Sequence, residues 1–432
     1  MRDMERALEL AQKAGFSDFA LKLVEVTNCL YTVARDSASS FKSWDDVWFA
    51  VYAAKDSKEV VFEHTKPFPS DPSQVVDEAQ KRIEVAEPSP LYTPLESSEV
   101  YEKQNKLLEI ENEIAELSER IHAKLSGKPE YVSYNTLSVW AQNITVKLYT
   151  SAGARIHEGY SRCWATYRAF ADQDTTLQRC EYTDAPKKLK PEESLRSVWE
   201  DLKPALNRLK PERGAKSAIL SPQVVGNLIN SVGSASSAFS VLIGNSFLKD
   251  KNRVASPLFT LLDVGEGFPG MPHYDDEGTK TQSTVIIQRG ELKNLLHNRK
   301  TAKKFGVKST GNAGWISPSP WALVIEKGDA EYDELVRSLK DGYIVTNNWY
   351  TRFQSFVTGD FSTITRDVTL VVKNGEIVGS TKGLRISENI LDLLSRAQAV
   401  EKRTHLVKWW EVETPVQAPH IMFEKVNFTL PE

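Results

Sequence analysis

Apolar residues recur at helical spacing over residues 3 to 14, and Gly15 stands where such a helix would end. The pattern then changes. Residues 18 to 32 (DFALKLVEVTNCLYT) and 47 to 54 (VWFAVYAA) are rich in β-branched and aromatic side chains, which predicts strands. A second helix is expected over 73 to 86, before a proline-rich linker through Pro88, Pro90 and Pro94. From Ser97 to Ser126 leucines and isoleucines return every three or four positions until Gly127 and Pro129. Without several clean heptads this predicts one long helix across a sheet rather than a coiled coil. Residues 131 to 182 alternate apolar and polar in short segments, notably Leu137 to Tyr149 and Arg162 to Ala171, as antiparallel strands with one covered face do.

Pro186, Pro191, Pro204 and Pro211 surround a further helical pattern and mark a boundary, giving an N-terminal unit 1–210 and a C-terminal unit 211–432 that begins near Ala215. Ser221-Pro222 has the form of an N-cap followed by proline at the first helical position, where a missing N–H costs nothing. The helix continues through Val224, Val225, Leu228 and Ile229. Val368 to Val378 predicts a hairpin with Asn374-Gly375 at its turn. Helices are expected over Glu331 to Leu339 and Ser387 to Ala399, and a closing strand over His420 to Thr429. The fold class is α+β: an N-terminal domain with long helices on a mainly antiparallel sheet, then a β-rich, mainly antiparallel domain with a few helices.

Composition narrows the class. The chain has 432 residues, 41% hydrophobic and 26% charged, so it is a globular protein of more than one small core. Its longest apolar run, Trp48 to Ala54, is far shorter than the roughly 20 residues of a membrane helix. No span is expected, and the first residues lack the apolar core of a secretory signal, so the expected location is cytoplasmic. Cys29, Cys163 and Cys180 are too few and too widely spaced for a disulfide framework. Net charge is −4, and the one local exception is Lys293 to Lys308, where Lys293, Arg299, Lys300, Lys303, Lys304 and Lys308 read as unopposed. Such a run can meet phosphates, but a solvated helix face is the simpler reading, and nucleic acid is not an expected partner.

The most informative stretch runs from His273 to Gly314. An acidic turn (Asp275, Asp276, Glu277, Gly278) leads into a strand, a turn at Arg289-Gly290, a basic segment and then Ser309-Thr310-Gly311-Asn312. This order resembles the signature of the TldD/PmbA (TldE) family, whose catalytic members are zinc peptidases. Gly342-Tyr343-Ile344-Val345, Thr358-Gly359-Asp360-Phe361-Ser362, Lys373-Asn374-Gly375-Glu376 and Ala418-Pro419-His420-Ile421-Met422 are similar to its later motifs. In catalytic members an HExxxH motif supplies two zinc ligands and a general base, and a C-terminal cysteine supplies another ligand. Aligned on Gly226, that motif falls on Pro222-Gln223-Val224-Val225-Gly226-Asn227. Proline cannot bind zinc, glutamine cannot act as the base, and every cysteine precedes residue 181. The resemblance is therefore to the PmbA/TldE branch. It implies no catalytic residue and no metal in this chain, with zinc carried by a TldD-like partner, and assembly either with that partner or with a second copy.

Within this reading Asp275, Asp276, Glu277 and Gly278, together with Thr310, Gly311 and Asn312, are the candidates for holding a peptide. The competing structural reading is a tight turn, in which Asp bonds nearby backbone and Gly takes unusual φ. His157-Glu158 begins an HE pair, but Ser161 and Arg162 stand where a second histidine would complete a motif. The remaining histidines are scattered singly. Trp315, Trp321, Trp349, Trp409 and Trp410 read as core or interface residues, or as the lining of an apolar groove. A different class of function stays open: a stand-alone binding or regulatory protein of the modulator-of-DNA-gyrase type, or a homodimer without proteolysis.

Overall fold

The structure, a computed structural model, describes residues 2–104 and 107–430. Three sheets organise it. The first has the order Lys58–His64, Ser37–Lys55, Asp18–Ala34, Tyr134–Thr150, Arg155–Phe170. The free edge of Arg155–Phe170 is shared by two strands: Val100–Gln104 runs parallel along its first residues, and Thr176–Thr183 antiparallel along its second half.

The apolar run at residues 48–54 is continuous because that strand is buried on both faces. Phe49, Val51 and Ala53 join the cluster made by helices Arg2–Lys13 and Ser73–Val85, while Ala50, Tyr52 and Ala54 pack with Trp315 from the second half of the chain. The other half of the sheet carries helices Ile110–Leu125 and Pro191–Ala205 through Ile114, Leu117, Leu195 and Leu202. That same hydrophobic cluster continues past residue 210 into Ile219, Leu335, Ile344 and Leu370.

The second sheet has the order Glu291–Leu292, Ser283–Gln288, Leu261–Val264, Leu323–Ile325, Val412–Ala418, His405–Trp409. In the third, Gly342–Ser355, Gly214–Leu220, Ile421–Thr429, Arg385–Asn389 and Asp360–Lys373 are joined in series, and pairing of the first with the last closes a ring. Helix Pro222–Ala235 leaves Gly214–Leu220 through Ser221, whose hydroxyl accepts from the Val224 N–H. It lies close on the second sheet because two of its residues are glycine. A Cβ at Gly226 would meet Val407 at 3.0 Å, and one at Gly233 would meet Leu323 at 2.7 Å.

The α+β class with mainly antiparallel sheets holds, and so does the hairpin turn, where Asn374 and Gly375 take φ of 52° and 77°. Two elements differ from expectation. In place of a helix over 97–126 there is a strand at Val100–Gln104 and a helix confined to Ile110–Leu125, because the first segment finds the edge of Arg155–Phe170. In place of a helix over 387–399, Asn389 caps a six-residue helix at Ile390–Ser395, flanked by strands Arg385–Asn389 and Ala397–Val400 that pair into the third sheet. Among the described residues no helix is long and apolar enough to cross a membrane.

Candidate functional site

The acidic turn is built by Asp275. One carboxylate oxygen accepts from the N–H groups of Glu277 (2.9 Å) and Thr279 (2.8 Å), and the other from the N–H of Ala313 (2.9 Å). It closes the turn and ties it to the segment after Asn312. Gly278 takes φ +72°, and its carbonyl accepts from the Ser97 hydroxyl at 2.6 Å. Asp276 pairs with Lys22 of the first sheet. Glu277 pairs with Arg299, whose side chain also donates to the Thr93 carbonyl at 2.7 Å and lies 4.9 Å from the Tyr52 ring centre. Lys300 beside it pairs with Glu59 at 2.7 Å, and Glu59 accepts from the Tyr52 hydroxyl.

The turn therefore joins the C-terminal half to the N-terminal sheet. Asp275 is 2% exposed and Glu277 3%, and their oxygens accept from donors within the chain, which fixes the shape of the loop. Burial pushes the Asp275 carboxyl well up, reinforced by the nearby Glu277 charge. Burial also raises Glu277, against the pull of Arg299. A small cavity lies at this junction, lined among others by Lys22, Glu158, Tyr160, Asp275, Asp276 and Trp321.

Thr310, Gly311 and Asn312 fold against the same loop. The Thr310 hydroxyl accepts from the His297 N–H at 2.7 Å, and the Gly311 carbonyl accepts from the Trp321 indole at 2.7 Å. Asn312 is 1% exposed and donates to Asp263 at 2.5 Å and to the Ser319 carbonyl at 3.1 Å. Asp263 also accepts from the N–H groups of Trp321 and Ala322, yet burial pushes its carboxyl up to about 7.

The basic segment is less open than its sequence implies. Lys293 pairs with Glu291, Arg299 with Glu277 and Lys300 with Glu59, which corrects the reading of this run as unopposed. Lys303, Lys304 and Lys308 are exposed.

On helix Pro222–Ala235, Gln223 and Asn227 are one turn apart and both are buried. The Asn227 carbonyl oxygen accepts from Asn348 (2.8 Å) and Thr351 (2.6 Å), and its NH2 donates to the Glu411 backbone carbonyl at 2.7 Å. Thr363 bonds both Asn348 and Thr351, and the Glu411 carboxylate accepts from the Tyr350 N–H at 2.8 Å. Arg366 lies over the rings of Trp349 and Trp409 in the same region.

Residues 213–430 match the family described as the PmbA/TldA metallopeptidase C-terminal domain. The chain belongs to the PmbA/TldD family. It is 33% identical over 272 residues to a metalloprotease of Methanocaldococcus jannaschii, covering 58% of this chain and 59% of that protein. With a zinc metalloprotease TldD homolog of Saccharolobus solfataricus it shares 28% identity over 214 residues, covering 46% of this chain and 47% of that one. The chain thus spans between about half and six-tenths of the length of these relatives. Among solved structures, TldE from Thermococcus kodakarensis is similar with a TM-score of 0.82 at 18% identity, over 99% of this chain and 100% of that one. A candidate modulator of a DNA gyrase from Thermotoga maritima gives 0.83 at 21%, over 99% of both chains. At these identities the likeness is one of fold.

The PmbA/TldD resemblance puts the zinc motif of catalytic members on helix Pro222–Ala235, and the residues there do not fit the ion. Pro222 has no donor atom. Gln223 is neutral, and both ends of the Asn227 amide are already bonded. His157 and Glu158 lie on a strand, and Glu158 instead holds His273, accepting from its N–H at 2.8 Å. Two histidines that look isolated in sequence are not so in space. His405 and His420 meet at Glu401, a convergence that spacing along the chain does not reveal because it depends on strand corners.

Proposed function

We propose that this chain is a TldE-like, non-catalytic subunit of a TldD/TldE-type zinc peptidase. It completes a peptide-holding cavity and an assembly surface, while a TldD-like partner holds the catalytic zinc and carries out hydrolysis of peptides or unfolded proteins. The observation that carries this reading is Asn227. Where the family resemblance places a zinc ligand, a neutral amide is locked into a buried network with Asn348, Thr351 and Glu411. The whole-chain likeness to the Thermococcus TldE fold supports the same assignment. The acidic turn contributes by fixing the wall between the two halves, through Lys22, Arg299 and Ser97.

The regulatory reading, in which the chain binds nucleic acid or a DNA enzyme, is weakened because half of the basic run at which it would make contact is paired internally. The deciding experiment is to express the chain alone and together with a TldD-like protein, and to assay peptide cleavage with and without a chelator. Cleavage is expected only from the complex, and to be abolished by the chelator. Chelator-sensitive cleavage by this chain alone overturns the proposal.

A further inference from the structure

Three potential ligands converge at a corner that shares no residue with the Asn227 network. Glu401 follows strand Ala397–Val400, His405 opens strand His405–Trp409, and His420 sits at the turn between Val412–Ala418 and Ile421–Thr429. Strand pairing fixes all three: Val400 is paired with Ile421, and His405 with Ala418. The Glu401 N–H donates to the His420 carbonyl at 2.9 Å, and the His420 N–H donates back to the Glu401 carboxylate at 3.1 Å. That carboxylate oxygen lies 2.7 Å from His420 Nδ1 and 3.7 Å from His405 Nε2.

We propose that Glu401, His405 and His420 form a binding site for a divalent transition-metal ion of the zinc type. One ligand atom from each residue lies within 4.8 Å of the others. Two imidazoles and a carboxylate are a donor set suited to zinc, and with metal–ligand bonds of about 2.0–2.2 Å the donors of a tetrahedral site stand roughly 3.3 Å apart. The observed 2.7 and 3.7 Å bracket that spacing, and no two of the three ligand atoms are farther apart than 4.8 Å.

The surroundings suit the ion. The backbone N–H of His420 aims the Glu401 carboxylate, as an outer partner of a metal ligand does. Tyr332 packs on the His420 ring at 4.7 Å. Arg179, whose positive charge is felt at His420, is itself paired with Asp201. Glu401 is 4% exposed at its side chain but His405 is 47% exposed, so the ion enters from the His405 side and keeps a fourth position open to solvent. Bound there, it clamps the 401–405 connection to the corner before the last strand.

The test uses the full chain stripped by a chelator and titrated with Zn2+ by calorimetry and with Co2+ by visible absorption. One equivalent is expected to bind, with the intense visible bands of four-coordinate cobalt. His405→Ala, at an exposed position where the fold tolerates truncation, should lower zinc affinity at least ~10-fold, the low end of what even an outer partner contributes, and remove the cobalt bands. His64→Ala serves as a control and should change neither. No stoichiometric binding, or binding that survives His405→Ala unchanged, overturns the site. Either result leaves the proposed role in the peptidase complex to its own activity test.

Discussion

Glu277 and Arg299 form an ion pair from which water is nearly excluded at both ends, with side-chain exposures of 3% and 9%. The pair is braced by a second bond from the Arg299 N–H to the other Glu277 oxygen at 2.9 Å and by the Thr93 carbonyl. It connects the acidic turn to helix Arg299–Phe305 and brings both against Tyr52 of the first sheet. Removing one member leaves the other charge buried without a partner. Glu277→Ala is therefore expected to lower unfolding free energy by about 3–5 kcal/mol, measured by urea denaturation. Lys22→Ala, which breaks a pair with both ends 19% exposed, should cost less than Glu277→Ala, because water reaches the Asp276 carboxylate it leaves behind. Equal losses from the two variants would contradict this account of the turn.

Asp263 gives the protein a pH dependence of definite sign. Its carboxyl is held at about 7 in the folded state, against about 3.9 in an unfolded chain. Between those values the folded state binds the extra proton. This contribution to stability is full below about pH 4 and is lost as pH rises through 7, at up to about 1.4 kcal/mol per unit. Burial is what holds the carboxyl there, against the pull of the backbone N–H groups of Trp321 and Ala322 and of the Asn312 amide. Asp263→Asn should flatten the dependence of urea midpoints between pH 4 and 7 relative to the parent chain. An unchanged slope would show that Asp263 stays ionised.

At Gly311 the backbone allows no side chain. Its φ is +68°, and a Cβ there would lie 2.3 Å from the Lys280 carbonyl oxygen. Neither atom is the far end of a flexible side chain, so the strain cannot be relieved by rotation. Gly311→Ala is expected to destabilise by about 1–3 kcal/mol, seen as a lower thermal midpoint. A neutral result would mean that the loop shifts freely.

What was legible in the sequence follows from how local its cause is. Ser221-Pro222 and Asn374-Gly375 announce a helix start and a hairpin because the requirement is met by the residues themselves. Val100–Gln104 reads as helix because its neighbours are helical, and only the distant edge at Arg155–Gly159 makes it a strand. The acidic turn and the Thr310-Gly311-Asn312 segment were recognisable as a unit, but their partners were not. Lys22, which pairs with Asp276, lies more than 180 residues away along the chain, as do Tyr52, Glu59 and Thr93, which hold the neighbouring Arg299 and Lys300. Lys300 looked unopposed for the same reason, whereas His405 and His420 looked solitary because paired strands, and not spacing along the chain, turn both toward Glu401.

Asn227 offers the most direct test of the proposed non-catalytic role. Its amide accepts from two side chains and donates to the Glu411 carbonyl, and those partners were arranged around a neutral group that both accepts and donates. Asn227→Ala leaves the carbonyl without its donor while Asn348 and Thr351 still share Thr363, so a loss of about 1–3 kcal/mol is expected. The triple variant Pro222→His, Gln223→Glu, Asn227→His rebuilds the motif in name only. It places charge or imidazole on a helix packed so closely on the second sheet that a Cβ at Gly226 would lie 3.0 Å from Val407, and no cysteine follows residue 180 to complete the ligand set. The triple variant is expected to be destabilised further and to show no chelator-sensitive peptidase activity alone. Activity from it would overturn the proposed non-catalytic role and show that ligand identity on this helix, and not the surrounding network, decides the chemistry.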